Sequence, residues 1–212
     1  MSITIRLLDT AQSIDSNINR AISLVINDKL SRNTSRVLRS SKEYIKQSIL
    51  SSPEILALSS SDPTSLAGQF GFNISASSVV SAIVSSIVES TQVKFIEYND
   101  RLRGGGFNIF CQPSNFLNLL SLPQGHTIYT GGDLHWLDWM LTKGDTIIII
   151  NYRYNPQTGL GRSGLGNMIE GGAFRVPPQY SGNITDNFVT RALSNPSLDT
   201  QLTSLIRDIL ND

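Results

Sequence analysis

No proline precedes Pro53, and within that stretch the apolar residues recur at helical spacing. Leu7, Ala11, Ile14, Ile18, Ala21 and Val25 follow one another at intervals of four, three, four, three and four. Because an α-helix turns once in about 3.6 residues, alternating threes and fours place all six on one stripe. Lys29, Arg32, Arg36, Arg39, Lys42 and Lys46 then come at three, four, three, three and four, with Leu30, Val37, Leu38, Ile45 and Ile49 as the apolar side. The pattern predicts one or two helices over residues 8–50, bent near Asn33-Thr34. Residues 1–50 hold eight basic and four acidic side chains, a net of +4, and residues 51–212 hold nine and thirteen, a net of −4. The helix therefore packs on its own body or on an acidic neighbour. We divide the chain into an N-terminal helical extension, 1–50, and an α+β body, 51–212, forming one structural domain overall.

Residues 51–75 are rich in Ser, Pro and Gly and read as a loop with one helical turn near Glu54. Ser75 is placed to cap a helix whose apolar face is Val79, Val80, Ile83, Val84, Ile87 and Val88. Residues 93–98 and 107–111 read as strands around the flexible Gly104-Gly105-Gly106, and Ser114 as the cap of a short helix to residue 120. Both tryptophans lie in Gly131-Gly132-Asp133-Leu134-His135-Trp136-Leu137-Asp138-Trp139-Met140-Leu141. Read as a helix, that segment puts Trp136 and Trp139 on one face with Leu137 and Met140 alongside, a packing nucleus that Gly144 terminates. The run from Asp145 through Thr146 to Ile150 reads as a buried strand of β-branched residues. Residues 154–173 read as a long Gly-rich loop closed by a strand at 173–176, residues 185–193 as helical with Asp186 as cap, and 198–210 as an amphipathic terminal helix. This order predicts α+β: a long N-terminal helix, a small, mostly antiparallel sheet packed with helices, and a C-terminal helix.

Little in the chain carries chemistry. Cys111 is the sole cysteine, which excludes an intrachain disulfide and a CxxC zinc cluster, and it reads as a small buried hydrophobe. His126 reads as a loop residue, and two histidines alone do not make a His-rich metal site. His135 beside Asp138 at i, i+3 has the elements of a base and its orienter, but no nucleophile accompanies them, and a surface hydrogen bond explains the spacing. Gly159-Leu160-Gly161-Arg162-Ser163-Gly164 fits G-x-G-x-x-G, yet a dinucleotide site needs those glycines straight after a strand and opening a helix. An interface loop with Arg162 as a contact is the better reading. The basic stripe suits a solvated face, an acidic neighbour or non-specific proximity to DNA, which needs cations but no base-reading elements. Charged residues make up 16% of the chain, below the usual quarter, as suits a subunit packed against others. The N-terminal apolar patch is too short and too charged for a signal peptide, and no segment is long enough to cross a bilayer. A soluble protein made in the cytoplasm is expected.

To the tryptophan segment with its Lys143-Gly144-Asp145 end the chain adds Gly161-Arg162-Ser163-Gly164, Phe174-Arg175-Val176-Pro177-Pro178, and the run from Gly182-Asn183-Ile184-Thr185 to Arg191-Ala192-Leu193, including Asn187-Phe188. This order of motifs, over about residues 64–212, resembles virion proteins of tailed bacteriophages, the neck or tail-completion proteins at the head–tail junction. The resemblance implies a structural, non-catalytic role in a homo-oligomeric ring, hexameric or dodecameric, joining the head connector to the tail, with other connector and tail proteins as partners. It implies no cofactor, no metal and no membrane. Its expected interface residues are Lys29, Arg32, Arg36, Arg39, Lys42, Lys46, Arg162 and Arg191. A tail terminator or other tail or baseplate component is the alternative; a DNA-packaging accessory or an enzyme fits less well.

Overall fold

A computed structural model describes residues 9–72, 74–129, 132–159 and 161–212. The predicted N-terminal helix is two helices, α1 (Ala11–Arg32) and α2 (Thr34–Leu50), broken at the expected place. Thr10 caps α1 by accepting from the Ser13 amide, 3.2 Å away. At the joint the Asn33 side chain donates to the Lys29 carbonyl and the Thr34 hydroxyl to that of Ser31, so side chains satisfy carbonyls that a straight helix would bond through its backbone. The two helices differ in burial. α2 buries Val37, Ser41, Ile45 and Ile49, whereas α1 buries Ser23 and Leu30 alone among its residues. The free extension is thus α1, and α2 belongs to the body; the charge change at residue 50 does not mark the structural boundary.

Two short helices follow, α3 (Pro53–Ser59) and α4 (Leu66–Gln69), where one turn was expected. Ser75 caps α5 (Ala76–Glu89), which buries Val79, Val80, Ile83, Val84 and Ile87 as its spacing predicts. The strands β1 (Gln92–Ile96) and β2 (Gly106–Phe110) pair antiparallel. Helix α6 (Leu117–Leu120) starts after Phe116, itself buried, and takes no side-chain cap from Ser114. A 3-10 turn, Pro123–Gly125, leads to the antiparallel hairpin β3 (Thr127–Tyr129) and β4 (Gly132–Leu134). Gly132 to Leu134 are therefore strand, and α7 (Trp136–Leu141) holds only the end of the predicted helix.

The isoleucine run is the larger correction. β5 (Ile149–Asn155) begins late in it and pairs with β6 (Asn167–Phe174), so the two ends of the expected 154–173 loop, 154–155 and 167–173, are paired strand rather than loop. β5 is not buried: Ile150 to Arg153 are exposed, as is Ile147 before it. The register slips between Ile150 and Tyr152, where Asn151 takes a positive φ of 66° opposite Gly171 and Gly172. The last helices are α8 (Phe188–Leu193) and α9 (Pro196–Asn211). Asn187, not Asp186, caps α8, accepting from the amides of Val189 and Thr190. It is wholly buried, and its own amide reaches the Leu141 and Asn183 carbonyls, tying the end of α7 to the turn before α8.

The class is α+β. Among the described residues the strands form three separate two-stranded antiparallel hairpins rather than one continuous sheet. One core joins α2, α3, α5, α7 and α8 through Ile45, Ile49, Leu58, Val79, Ile83, Leu137 and Phe188. Trp136 stacks on Phe70 with ring centroids 5.0 Å apart and is fully buried. A smaller cluster of Leu30, Val37, Leu205 and Ile209 closes the seam between α1, α2 and α9.

Candidate functional site

The uncovered side of α1 is an apolar surface that folding leaves unused. Leu7 lies outside the described residues; of the other stripe residues, Ala11, Ile18, Ala21 and Val25 are exposed and Ile14 half-buried. Ile22 joins the same side, and Val25 is 67% exposed. A row of large aliphatic residues on one helix face loses the stabilisation of burial, about 1.5–3 kcal/mol per side chain, unless another surface covers it. The first half of α1, residues 11–22, contains no buried residue.

The basic stripe divides into inward and outward parts. Lys29 donates to the Leu210 carbonyl at 2.9 Å, a cation at the negative end of α9. Arg36 pairs with Asp212 at 2.8 Å. Arg32 pairs with Asp28 on its own helix, and Lys46 lies 4.0 Å from Glu43 on its own. Arg39 is exposed and Lys42 half-buried, and neither makes an ion pair among the described residues. Part of the +4 segment is thus neutralised by its own C-terminal helix, which realises one of the two arrangements that the charge split allows.

Arg162 and Arg191 are exposed, yet both are engaged within their own chain. Arg191 bridges Asp186, 2.7 Å away, and Glu54, whose carboxylate is almost fully buried in α3. Burial opposes the guanidinium charge, and the two carboxylates more than offset it, so the Arg191 pKa is raised. Arg162 donates to the Ile128 carbonyl and lies over the Tyr129 ring at 5.7 Å. The Ser163 hydroxyl reaches the Gly68 carbonyl at 3.4 Å, so the glycine loop is held against α4 and β3. Its Gly161 amide donates to the Gly166 carbonyl at 2.8 Å, a turn so tight that a Cβ on Gly161 would collide with that oxygen. Strand β6, not a helix, follows the loop, so the context of a dinucleotide site is missing.

The histidines are rearranged relative to expectation. His135 does not meet Asp138, which pairs with Lys143 at 3.1 Å. Both histidines turn to Asp133 instead. In the β3–β4 register Ile128 faces Asp133, and side chains alternate, so His126, Asp133 and His135 share one side of the hairpin. His126 Nδ1 lies 2.8 Å from both Asp133 oxygens, and His135 Nε2 lies 3.2 Å from Oδ2. The imidazoles stack with centroids 5.0 Å apart and planes 10° apart. Glycine between two short alternating runs is a hairpin signal. Reading residues 131–141 as a single helix conceals it, and with it the role of Asp133.

The tryptophans also part company. Trp136 is core, while Trp139 is half-buried, donates to the Thr146 hydroxyl at 2.9 Å and carries Lys143 over its ring at 4.3 Å. Cys111 sits half-buried beside Thr91, and burial pushes its thiol pKa up, away from nucleophilic use near neutrality. Among the described residues, cavities that open to solvent include one of about 290 Å³ bounded by Phe70, Tyr129, Leu134, Tyr154 and Arg162, and one of about 560 Å³ bounded by Phe107, Ile109, Phe116, Val189 and Leu202. Neither brings a nucleophile into contact with a base. No helix among the described residues is long and apolar enough to cross a membrane. Comparison with protein-family models, with curated proteins and with solved structures finds no match to this chain.

Proposed function

We propose that this chain is a structural subunit of a tailed-phage virion, one wedge of a ring at the head–tail junction, and that α1 is the segment each wedge lays on the next. The observation that carries the reading is the uncovered apolar stripe of α1, with Ile18 and Val25 mostly exposed. An isolated helix gains little stability in water, and such helices are held by packing of an apolar face. A closed ring is built from heterologous contacts, in which one surface of a copy meets a different surface of the next, and a projecting helix suits that geometry. Arg39 and Lys42 are then available to an acidic neighbour or to DNA in the channel, where they steer association more than they tighten it. The placement at the head–tail junction rests on the resemblance in motif order set out above. On this reading the protein catalyses nothing; it works as a hexameric or dodecameric ring in the neck of a virion assembled in the host cytoplasm, contacting connector and tail proteins.

Electron microscopy of particles from the parent phage with this gene interrupted tests the proposal. Filled heads accumulating beside separate, complete tails are expected. Joined virions of normal appearance would sink it, and tails of aberrant length would replace it with a tail terminator.

A further inference from the structure

We propose that His126, Asp133 and His135 form a binding site for one divalent transition-metal ion of the zinc class, on the solvent-facing side of the β3–β4 hairpin. This goes beyond the assembly role and does not depend on it. Two imidazole nitrogens and one carboxylate oxygen suit Zn²⁺, Co²⁺, Ni²⁺ or Fe²⁺, whereas Ca²⁺ and Mg²⁺ take sets made of oxygen. It is the one grouping of three such donors among the described residues, and the donor atoms all lie within 4.8 Å of one another. An ion with bonds of about 2.0–2.2 Å separates its ligands by about 3.0–3.6 Å, so the 3.2 Å approach already fits, the 2.8 Å one needs to open slightly, and the two imidazoles, within 4.8 Å, need to draw together.

The near-parallel rings, their planes 10° apart, do not yet aim both lone pairs at one point. Turning His135 makes them converge. That side chain is 52% exposed and gives no cap hydrogen bond to α7, so its rotation meets little packing resistance. Asp133 has no Lys or Arg partner among the described residues that an ion would have to displace. Three protein ligands leave a fourth position open to water, the pattern of an unfilled zinc sphere rather than a closed structural one.

The ion would act as a staple. His126 precedes β3, and His135 directly precedes Trp136, the buried anchor of α7. A two-stranded hairpin with strands this short is marginal unaided, and a shared ion ties both of its strands to the helix that enters the core.

The test uses the full, tag-free chain, stripped with a chelator, then titrated with Zn²⁺ by calorimetry and with Co²⁺ by visible absorption. Saturable binding of a single ion is expected, with Co²⁺ developing d–d bands of imidazole and carboxylate ligation and amide exchange slowing in β3 and β4. His135→Ala and Asp133→Asn should each weaken binding at least tenfold, and His126→Ala with His135→Ala should abolish it. Cys111→Ser should leave it unchanged. Circular dichroism verifies folding; should the double variant not fold, His135→Ala decides, because its side chain is half exposed. An absence of saturable binding by the folded parent chain would overturn the proposal, as would affinity undiminished in the folded histidine variants.

Discussion

Helices α1 and α9 are both amphipathic, both lie towards a terminus of the described chain, and both meet at one seam, yet they end in opposite states. α9 buries Leu198, Leu205 and Ile209. α1 contributes Leu30 to the same seam and leaves Ile18 and Val25 in solvent. The cause is delivery. A short connection capped by Asn195 sets α9 down along α2, whereas the Asn33 joint lets only the last turns of α1 reach α9 before the helix runs past the body. Helical periodicity therefore announces an apolar stripe without saying what covers it; the neighbouring connections decide that. Where they bring nothing, the stripe stays in solvent, and the proposed ring would use it.

The comparison breaks most directly at the exposed stripe. Ile18→Asp combined with Val25→Asp should abolish assembly, read by sedimentation velocity or negative-stain microscopy, while monomer stability shifts by no more than about 0.5 kcal/mol. Undisturbed assembly would show that α1 is not the docking element. Ile209→Ala probes the opposite pole. Removing a fully buried side chain from the α9 seam should lower the unfolding free energy in urea by about 2–5 kcal/mol. If Val25→Ala lost a similar amount in the monomer, the two helices would not differ as described.

Arg191→Ala sharpens the account of why α9 is well delivered. The change leaves Glu54, 3% exposed, without its counter-ion, and it frees α8, the helix that feeds α9. Loss of charge-assisted hydrogen bonds there should cost about 1.5–3 kcal/mol. Arg191→Lys, which keeps the charge but cannot fork between two carboxylates, should recover part of that stability. A negligible effect of Arg191→Ala on thermal unfolding would mean that the buried carboxylate does not hold α8.

Several local signals were legible where one residue decides the outcome. The Ser75 cap, the β-branched face from Val79 to Ile87 and the break at Asn33-Thr34 could each be read before any coordinates. The failures share another cause. Ile147 and Ile150 looked buried because a β-branched run suggests a covered strand, but Ile147 precedes β5, and β5 pairs with β6 alone and is exposed from Ile150 to Arg153. Gly171 and Gly172 read as loop, although they lie in a strand beside a register slip. Asp186 and Asn187 are adjacent polar residues, and only the three-dimensional turn decides which one caps α8. The histidine cluster depends on pairing across a hairpin, and a spacing of three along a helix pointed instead to Asp138. Of the interface cations, Arg162 gives no local sign of its engagement, because its partners Ile128 and Tyr129 lie more than thirty residues earlier in another hairpin.

The smallest expected effect concerns the basic stripe where α1, α2 and α9 meet. Arg36 and Asp212 are 49% and 66% exposed, so their 2.8 Å pair is screened by water and should contribute less than about 1 kcal/mol. Arg36→Ala should hasten amide exchange in the last turn of α9 at low salt, and the difference should fade as ionic strength rises and the Debye length shrinks. Arg39→Ala, at a residue with no ion pair among the described residues, should not alter exchange at any salt concentration. Arg39→Glu should instead slow assembly without destabilising the monomer, because its field points outward. Equal effects of Arg36→Ala and Arg39→Ala on exchange would erase the distinction between the part of the stripe that contacts α9 and the part that makes no ion pair among the described residues. The difference between the two terminal helices would then rest on apolar burial alone.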